Sequence, residues 1–132
     1  MRTPAELVDA LLVAMAAYDG VALAPLLSDD VVWWSPPSAS RMGAARPMVG
    51  KDEVVRVFTG GLGIYRAGTI TWDLHQLIAD DASIAARFTR RSLTAAGKPY
   101  ENEYCFVLRY VDGRIVEGWE FTDTAHAYDQ FA

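Results

Sequence analysis

The chain has 132 residues, of which 52% are hydrophobic and 22% charged, and its formal net charge is −5. This length and composition predict a single domain over residues 1–132 with one hydrophobic core. The acidic balance, with Lys51 and Lys98 as the only lysines, argues against a protein that binds the phosphate backbone of nucleic acids.

Cysteine and histidine usage gives no sign of a metal site. Cys105 is the single cysteine and cannot form an internal disulfide, and His75 and His126 lie far apart in the sequence. We therefore expect neither a metal nor a cofactor. The N-terminal apolar stretch carries Glu6 and Asp9 and lacks a basic leader, and no apolar run reaches the roughly 18 residues of a membrane span. We expect a cytoplasmic protein that does not bind membranes.

The N-terminal part predicts helices. Thr3-Pro4-Ala5-Glu6 is a capping box with proline in the first turn, and apolar residues then recur at helical spacing until Asp19-Gly20. Next we expect a short helix, a strand, a loop and a third helix, at 21–27, 31–35, 36–49 and about 50–60. The loop has a composition that suits a mobile flap over a cavity as well as a plain connection.

After Gly68 the pattern becomes alternating, which predicts strands. Four long strands are expected, at 69–79, 83–94, 98–111 and 114–122. Short turn signals separate them, and Asp112-Gly113 is the strongest hairpin signal in the chain. Strands of this length must twist. We therefore predict an α+β fold in which a cone-shaped, curled antiparallel sheet wraps around the N-terminal helices.

Alternation also sorts strand residues into faces, provided that no bulge changes the register. On the strand 98–111, Asn102, Tyr104 and Phe106 share one face. On the strand 83–94, Arg87 and Thr89 share one face.

Several segments carry a resemblance to a known family. They read Leu26-Leu27-Ser28-Asp29-Asp30-Val31-Val32-Trp33, Lys98-Pro99-Tyr100-Glu101-Asn102, Phe106-Val107-Leu108-Arg109-Tyr110, Asp112-Gly113-Arg114-Ile115-Val116 and Trp119-Glu120-Phe121-Thr122-Asp123-Thr124-Ala125. These segments resemble the SnoaL-like and ketosteroid-isomerase-like branch of the nuclear-transport-factor-2-like superfamily, with local similarity to phenazine-biosynthesis A/B-type proteins. The likeness covers nearly the whole chain and implies the cone-shaped fold. It also implies a homodimer, because members usually bury the outer face of the sheet against a second copy.

The resemblance allows the catalytic positions of related enzymes to be compared with the residues of this sequence, and several of them differ. Ser35 stands where ketosteroid isomerases have their general base, and the oxyanion donors of those enzymes would fall near Leu11 and Phe106. Limonene-epoxide-hydrolase-like enzymes carry an Arg-x-Asp pair on one strand, and Arg87 and Thr89 occupy the matching positions here. Thr89 therefore has a hydroxyl where those enzymes have the carboxylate of the aspartate.

Glu120 falls where SnoaL-like cyclases carry their acid/base aspartate, so the resemblance implies this role for it. A carboxyl among aromatic side chains on a concave sheet face is desolvated, which raises its pKa towards that of a useful proton shuttle. Arg87 is expected to pair with Glu120 or to hold a substrate oxygen. The alternative interpretation is a purely structural ion pair, and Arg90-Arg91 is interpreted as a solvated or interfacial charge pair.

These observations predict an acid/base enzyme of the isomerase, cyclase or dehydratase type that needs no cofactor. Its substrate would be a small apolar carbonyl-bearing molecule, such as a polyketide-like or other secondary-metabolite precursor. Glu120 and Arg87 are the predicted catalytic residues. The predicted substrate contacts are Trp33, Ser35, Thr89, Asn102, Tyr104 and Phe106. The alternatives are a noncatalytic binding module of the same fold and, with less support, an epoxide hydrolase.

Overall fold

The computed structural model describes residues 1–131. These residues contain four α-helices: α1 (Pro4–Ala16), α2 (Gly20–Leu23), α3 (Lys51–Arg56) and α4 (Thr124–Phe131). The same residues contain six strands: β1 (Leu27–Trp34), β2 (Met48–Val49), β3 (Thr71–Ala79), β4 (Ser83–Leu93), β5 (Pro99–Val111) and β6 (Arg114–Thr122). Within these described residues no helix has the length and apolar character needed to cross a membrane.

The strands form one curled, unclosed sheet in the order β2-β1-β6-β5-β4-β3. Strands β3 to β6 are the predicted antiparallel meander, and the hairpin at Asp112-Gly113 joins β5 to β6. Strand β1 returns to lie parallel to β6. Helices pack against the buried face of this sheet, which confirms the predicted α+β class.

One face of the sheet and one face of α1 form the core. Helix α1 begins at the predicted capping box, where Thr3 and Glu6 exchange hydrogen bonds, and its buried side chains include Leu7 and Leu11. On β5 the buried residues alternate with exposed or half-buried ones, as expected for a strand that covers a core. The core therefore lies between the concave face and the helices.

The N-terminal boundaries differ from the prediction. The region 21–27 holds only the short α2 and a turn at Ala24–Leu26, and β1 already begins at Leu27 rather than at residue 31. Pairing explains this difference, because Leu27 lies opposite Ile115 of β6, a contact that local sequence does not reveal.

Strand β2 and helix α4 were not predicted. Strand β2 lies inside the expected loop 36–49 and pairs with β1. Helix α4 follows β6, in a segment for which the sequence analysis predicts no element. Asp123 caps it by accepting a hydrogen bond from the backbone of His126, and Phe131 stacks on Tyr100 at a ring-centroid distance of 5.0 Å. Tertiary packing thus stabilises a helix of only eight residues.

Candidate active site

A cavity of about 120 Å³ lies between the concave face of the sheet and its covering segments. Its walls are mostly apolar, with Met15, Met42, Met48, Phe58, Leu62 and Phe131 among the lining residues. Since roughly 10–15 Å³ of such volume accommodates one water, the cavity can hold a small organic molecule. A mainly apolar pocket with a small number of polar groups that point into it is typical of a ligand-binding site.

Glu120 lies on the concave wall of this cavity. Its place on β6 is opposite Phe106 of β5, and Thr122, two residues later, faces the same cavity. Burial raises the pKa of the Glu120 carboxyl, while the charge of Arg90 and the indole N–H of Trp33 oppose this rise. Glu120 is therefore held closer to its neutral form than an exposed glutamate.

Trp33 lies behind Glu120 and is fully buried. Its ring makes edge contacts with Phe58 and Phe106 at centroid distances of 4.7 and 5.0 Å. The indole Nε1 is buried and has no hydrogen-bond acceptor within normal distance and angle among the described residues. It nevertheless lies close enough to Glu120 to favour the charged form of that carboxyl. The Trp33 N–H therefore stabilises the carboxylate form of Glu120, in the same direction as the charge of Arg90.

Arg90 supplies the positive charge of the cavity. It is 9% exposed and projects from β4 with its guanidinium over the rings of Tyr104 and Tyr65, at 4.8 and 5.3 Å from the centroids. Burial opposes its charged form, but Tyr104, Tyr65 and Glu120 outweigh this effect, so that the pKa of Arg90 is raised. None of the ion pairs within 4.0 Å in the described chain involves Arg90.

Three tyrosine hydroxyls line the cavity next to Arg90. Tyr65 Oη lies 3.0 Å from Tyr104 Oη, Tyr104 is hydrogen-bonded to Tyr100, and Asn102 donates to Tyr100 over 3.3 Å. Burial raises the pKa values of Tyr100 and Tyr104, so both hydroxyls stay protonated. The cavity therefore combines one carboxyl, one guanidinium and neutral hydroxyl donors.

The structure brings part of the predicted set together. Ser35 and Tyr104 line the cavity with Glu120. Phe106 and Trp33 form the layer behind the wall, and Asn102 is buried and acts on the cavity through Tyr100. Of these, only Glu120 carries a carboxyl.

Arg87 and Thr89 lie on the outer face of the sheet. Arg87 is half exposed and sits 3.8 Å from Glu103, and Thr89 hydrogen-bonds to the exposed His75 over 2.6 Å. The expectation that Arg87 neighbours Glu120 is wrong, because β4 turns its even-numbered side chains, and hence Arg90, towards the core. Arg90 is a cavity residue, not a solvated or interfacial one.

Sequence reasoning missed Arg90 as well as Tyr65 and Tyr100. A signal for Arg90 exists in the sequence, because Arg90 is two positions from Phe88 and alternation puts both on one face of the strand. The pairing of β4 with β5 then sets Arg90 opposite Asn102. Tyr65 lies between α3 and β3, where no periodic pattern exists, and only the folded chain brings it to the cavity.

The predicted loop 36–49 covers the cavity, and Ala39, Met42 and Ala44 line it. Tyr128 of α4 donates a hydrogen bond to the carbonyl of Ser38, and Arg41 lies over the Tyr128 ring. No group of three or more histidine, cysteine or acidic side chains converges as a metal site within residues 1–131.

A sequence model of the SnoaL-like domain matches residues 8–118 of the chain. The protein therefore belongs to the SnoaL-like domain family, and its fold is that of the nuclear-transport-factor-2-like proteins. No protein of curated function matches the chain at a significant level of similarity.

Solved structures agree with this fold. The chain is 22% identical to an NTF2-like protein of unknown function from Burkholderia pseudomallei, with a TM-score of 0.85 and coverage of 100% of this chain and 99% of the other. It is 21% identical to IdmH, a putative polyketide cyclase from Streptomyces antibioticus, with a TM-score of 0.80 and 98% of both chains covered. It is 18% identical to an LEH-like epoxide hydrolase from M. tuberculosis, with a TM-score of 0.74 and coverage of 95% and 86%.

Proposed function

We propose that this protein is an acid/base enzyme that moves a proton on a small, largely apolar, carbonyl-bearing molecule, without a cofactor. The observation that carries the proposal is the Glu120 carboxyl, which lies in an apolar cavity with a raised pKa and a buried guanidinium in its neighbourhood. A carboxyl with a pKa moved towards neutral pH is effective both as proton acceptor and as proton donor.

The proposed step begins with Glu120 as carboxylate. It accepts a proton from the carbon next to the substrate carbonyl, and the electrons of that C–H bond move to form an enolate. Arg90 stabilises the negative charge on the enolate oxygen. In a substrate whose enolate is conjugated with a second double bond, Glu120, now neutral, returns the proton to the far carbon of this dienolate as the double bonds shift, which gives isomerisation. In a substrate with a hydroxyl on the β-carbon, Glu120 gives the proton to that oxygen, the C–O bond breaks, the enolate electrons form the new carbon–carbon double bond and water leaves, which gives elimination.

The names of structural neighbours fit this chemistry. Polyketide cyclase and isomerase are among the names borne by solved proteins of this fold, and polyketide-like precursors contain acidic C–H bonds beside carbonyls. Fold similarity at this level of identity does not define a substrate. The apolar lining and the small volume of the cavity support a compact, mostly hydrophobic substrate.

Deuterium incorporation tests the proposal without knowledge of the natural substrate. A panel of small cyclic and aryl ketones is incubated with the protein in D₂O, and mass spectrometry follows exchange at the carbon next to the carbonyl. Glu120→Gln should reduce protein-dependent exchange by about 10²–10⁴-fold, the usual contribution of a general base.

Glu103→Gln is the matched control, because Glu103 is an exposed glutamate on the outer face of the neighbouring strand. Its exchange rate should equal that of the unmodified protein. Equal rates for the Glu120→Gln variant and the unmodified protein would overturn the proposal.

A noncatalytic ligand-binding module is the second candidate. It is favoured by the observation that Glu120 is the only carboxylate among the cavity-lining residues that the structure describes. The same fact weakens an epoxide hydrolase that activates water with two carboxylates. Ketones that bind across the panel without any protein-dependent exchange would support the binding module.

A further inference from the structure

The sheet is open on one side of Glu120. Strand β1 ends at Trp34, which lies opposite Trp119 of β6, and the chain then leaves the sheet for the turn at Pro37–Met42. Strand β6 continues to Thr122, so in the described chain its last three residues have no strand beside them on the β1 side. The backbone around Glu120 therefore borders a gap at the end of β1.

A second pocket, of about 220 Å³, lies at this gap, and we call it the edge pocket. Five of its lining residues, Glu120 among them, also line the cavity, so the two spaces adjoin at this carboxyl. The residues that line the edge pocket and not the cavity are mostly aromatic or apolar, with one cation: Trp34, Pro37, Trp119, Phe121 and Arg46. Glu120 is thus approached from the concave side and from the edge of the sheet.

Arg46 is held in position at the wall of the edge pocket. Its Nε donates a hydrogen bond to the carbonyl of Ser35 over 3.1 Å, and its guanidinium carbon lies 5.9 Å from the ring centroid of Trp34. The indole of Trp34 is itself fixed, because its Nε1 donates to Oε2 of Glu117 over 3.0 Å. These contacts hold a cation against an aromatic ring at the exposed end of the pocket.

The charge of Arg46 is suited to an anionic ligand group. None of the ion pairs within 4.0 Å in the described chain involves Arg46, and Glu117, which accepts from Trp34, lies 3.4 Å from Arg109. The bond to Ser35 uses one of the five N–H donors of the guanidinium, whose planar arrangement matches a carboxylate. Aromatic walls that end at such a cation are complementary to a flat ring that carries a carboxylate.

We propose that the ligand of this protein has two parts, a compact carbonyl-bearing part in the cavity and a planar aromatic carboxylate in the edge pocket, where the carboxylate binds Arg46. The aromatic ring lies beside Trp34, and the link between the two parts passes Glu120 through the gap in the sheet. This inference rests on the proposed function for the place of the carbonyl. The contact with Arg46 is a binding property and is tested without turnover.

The experiment compares three ligands in calorimetric titrations at neutral pH. They are 4-(4-oxocyclohexyl)benzoate, its uncharged methyl ester, and cyclohexanone, which lacks the aromatic part. The unmodified protein should bind the benzoate more tightly than the ester, by about 10-fold or more, as expected for hydrogen bonds to a charged group. Arg46→Gln should weaken benzoate binding by about the same factor and leave the ester and cyclohexanone unchanged.

Arg41→Gln is the matched control. Arg41 is an exposed arginine of the same covering segment that lies over Tyr128 and lines neither the cavity nor the edge pocket. This variant loses the same unit of charge, and all three affinities should stay the same. Phe121 also lies on the outer face of the sheet, so light scattering checks that no variant changes the association of the chain.

Trp34→Leu tests the place of the aromatic ring. It should weaken the benzoate and the ester alike, whereas retained binding of cyclohexanone shows that the cavity is intact. The inference is overturned by unmodified protein that does not bind the benzoate or binds benzoate and ester equally. It is also overturned by a benzoate preference that survives Arg46→Gln, by an equal loss in the Arg41→Gln variant, or by aromatic ligands that bind Trp34→Leu as they bind the unmodified protein.

Ketone exchange separates this inference from the proposed function. An Arg46-dependent preference for the benzoate in a protein that catalyses no exchange on any of the three ketones would support the edge pocket and contradict the enzyme. Glu120-dependent exchange on cyclohexanone, together with equal binding of benzoate and ester, would support the enzyme and contradict the two-part ligand.

Discussion

Arg87 and Arg90 are three positions apart on β4 and lie in opposite environments. Arg87 faces solvent beside Glu103, whereas Arg90 is buried among tyrosines next to Glu120. An odd separation along a strand places two side chains on opposite faces, so only one of the two arginines can act on the cavity.

Arg90→Met should affect both the rate and the pH dependence of ketone exchange. The variant loses the cation that stabilises the enolate, and exchange should fall by about 10²–10³-fold. It also loses the charge that lowers the pKa of Glu120, whose pKa then rises further. Since the carboxylate is the active form, the increase of rate with pH should move to higher pH. Rate profiles across pH measure both effects.

Arg87→Met is the matched control for this change. The side chain is half exposed on the outer face, so its removal should alter neither the rate nor the profile, and stability should change by no more than about 0.5 kcal/mol. A rate that depends on Arg87 and not on Arg90 would contradict the site described above.

At the scale of elements, the parallel pairing of β1 with β6 decides how the wall behind Glu120 is built. Trp33 lies opposite Gly118, and a Cβ atom at Gly118 would come within 2.3 Å of the Trp33 ring. The indole therefore lies directly against the β6 backbone at Gly118, two residues from Glu120. Glycine is required here for space and not for backbone conformation.

Gly118→Ala should destabilise the protein by about 1–3 kcal/mol, the usual cost of overpacking a core. Urea unfolding measures this loss. Trp33→Leu makes room for the added methyl group of Gly118→Ala. The variant with both substitutions should therefore lose less unfolding free energy than the sum of the losses in the two single variants. Strict additivity would show that the two residues are not in contact.

For the whole molecule, the outer face of the sheet carries exposed apolar side chains next to ion pairs such as that of Arg87 with Glu103. Cross-strand register places Val107 beside Trp119 and Cys105 beside Phe121, and Phe121 and Ile78 are 55% and 62% exposed. Exposed apolar side chains that cluster on one face are typical of an interaction surface. We propose that two copies of the chain associate through this face.

Phe121→Glu should convert the expected dimer to a monomer, because a charge would be buried without a partner in the interface. Sedimentation or light scattering measures the mass. Val13→Glu, on an exposed position of α1, is the control and should leave the dimer intact. A monomeric unmodified protein at micromolar concentration would contradict this expectation.

Local sequence determined most of the sheet and the central carboxyl. The predicted strands 83–94, 98–111 and 114–122 match β4, β5 and β6 to within a residue at each end, because alternation and turn residues act over short distances. The resemblance to the SnoaL-like family singled out Glu120.

Tertiary structure decided which other residues meet Glu120. The choice between Arg87 and Arg90 depends on which face of β4 turns to the core, and Tyr65 reaches the cavity from a segment without any periodic pattern. Helix α4 exists because Phe131 stacks on Tyr100, a contact between residues 31 positions apart. Such long-range contacts depend on how the helices and strands pack together. The length of a strand and the alternation of its two faces depend on residues that are close together in the sequence.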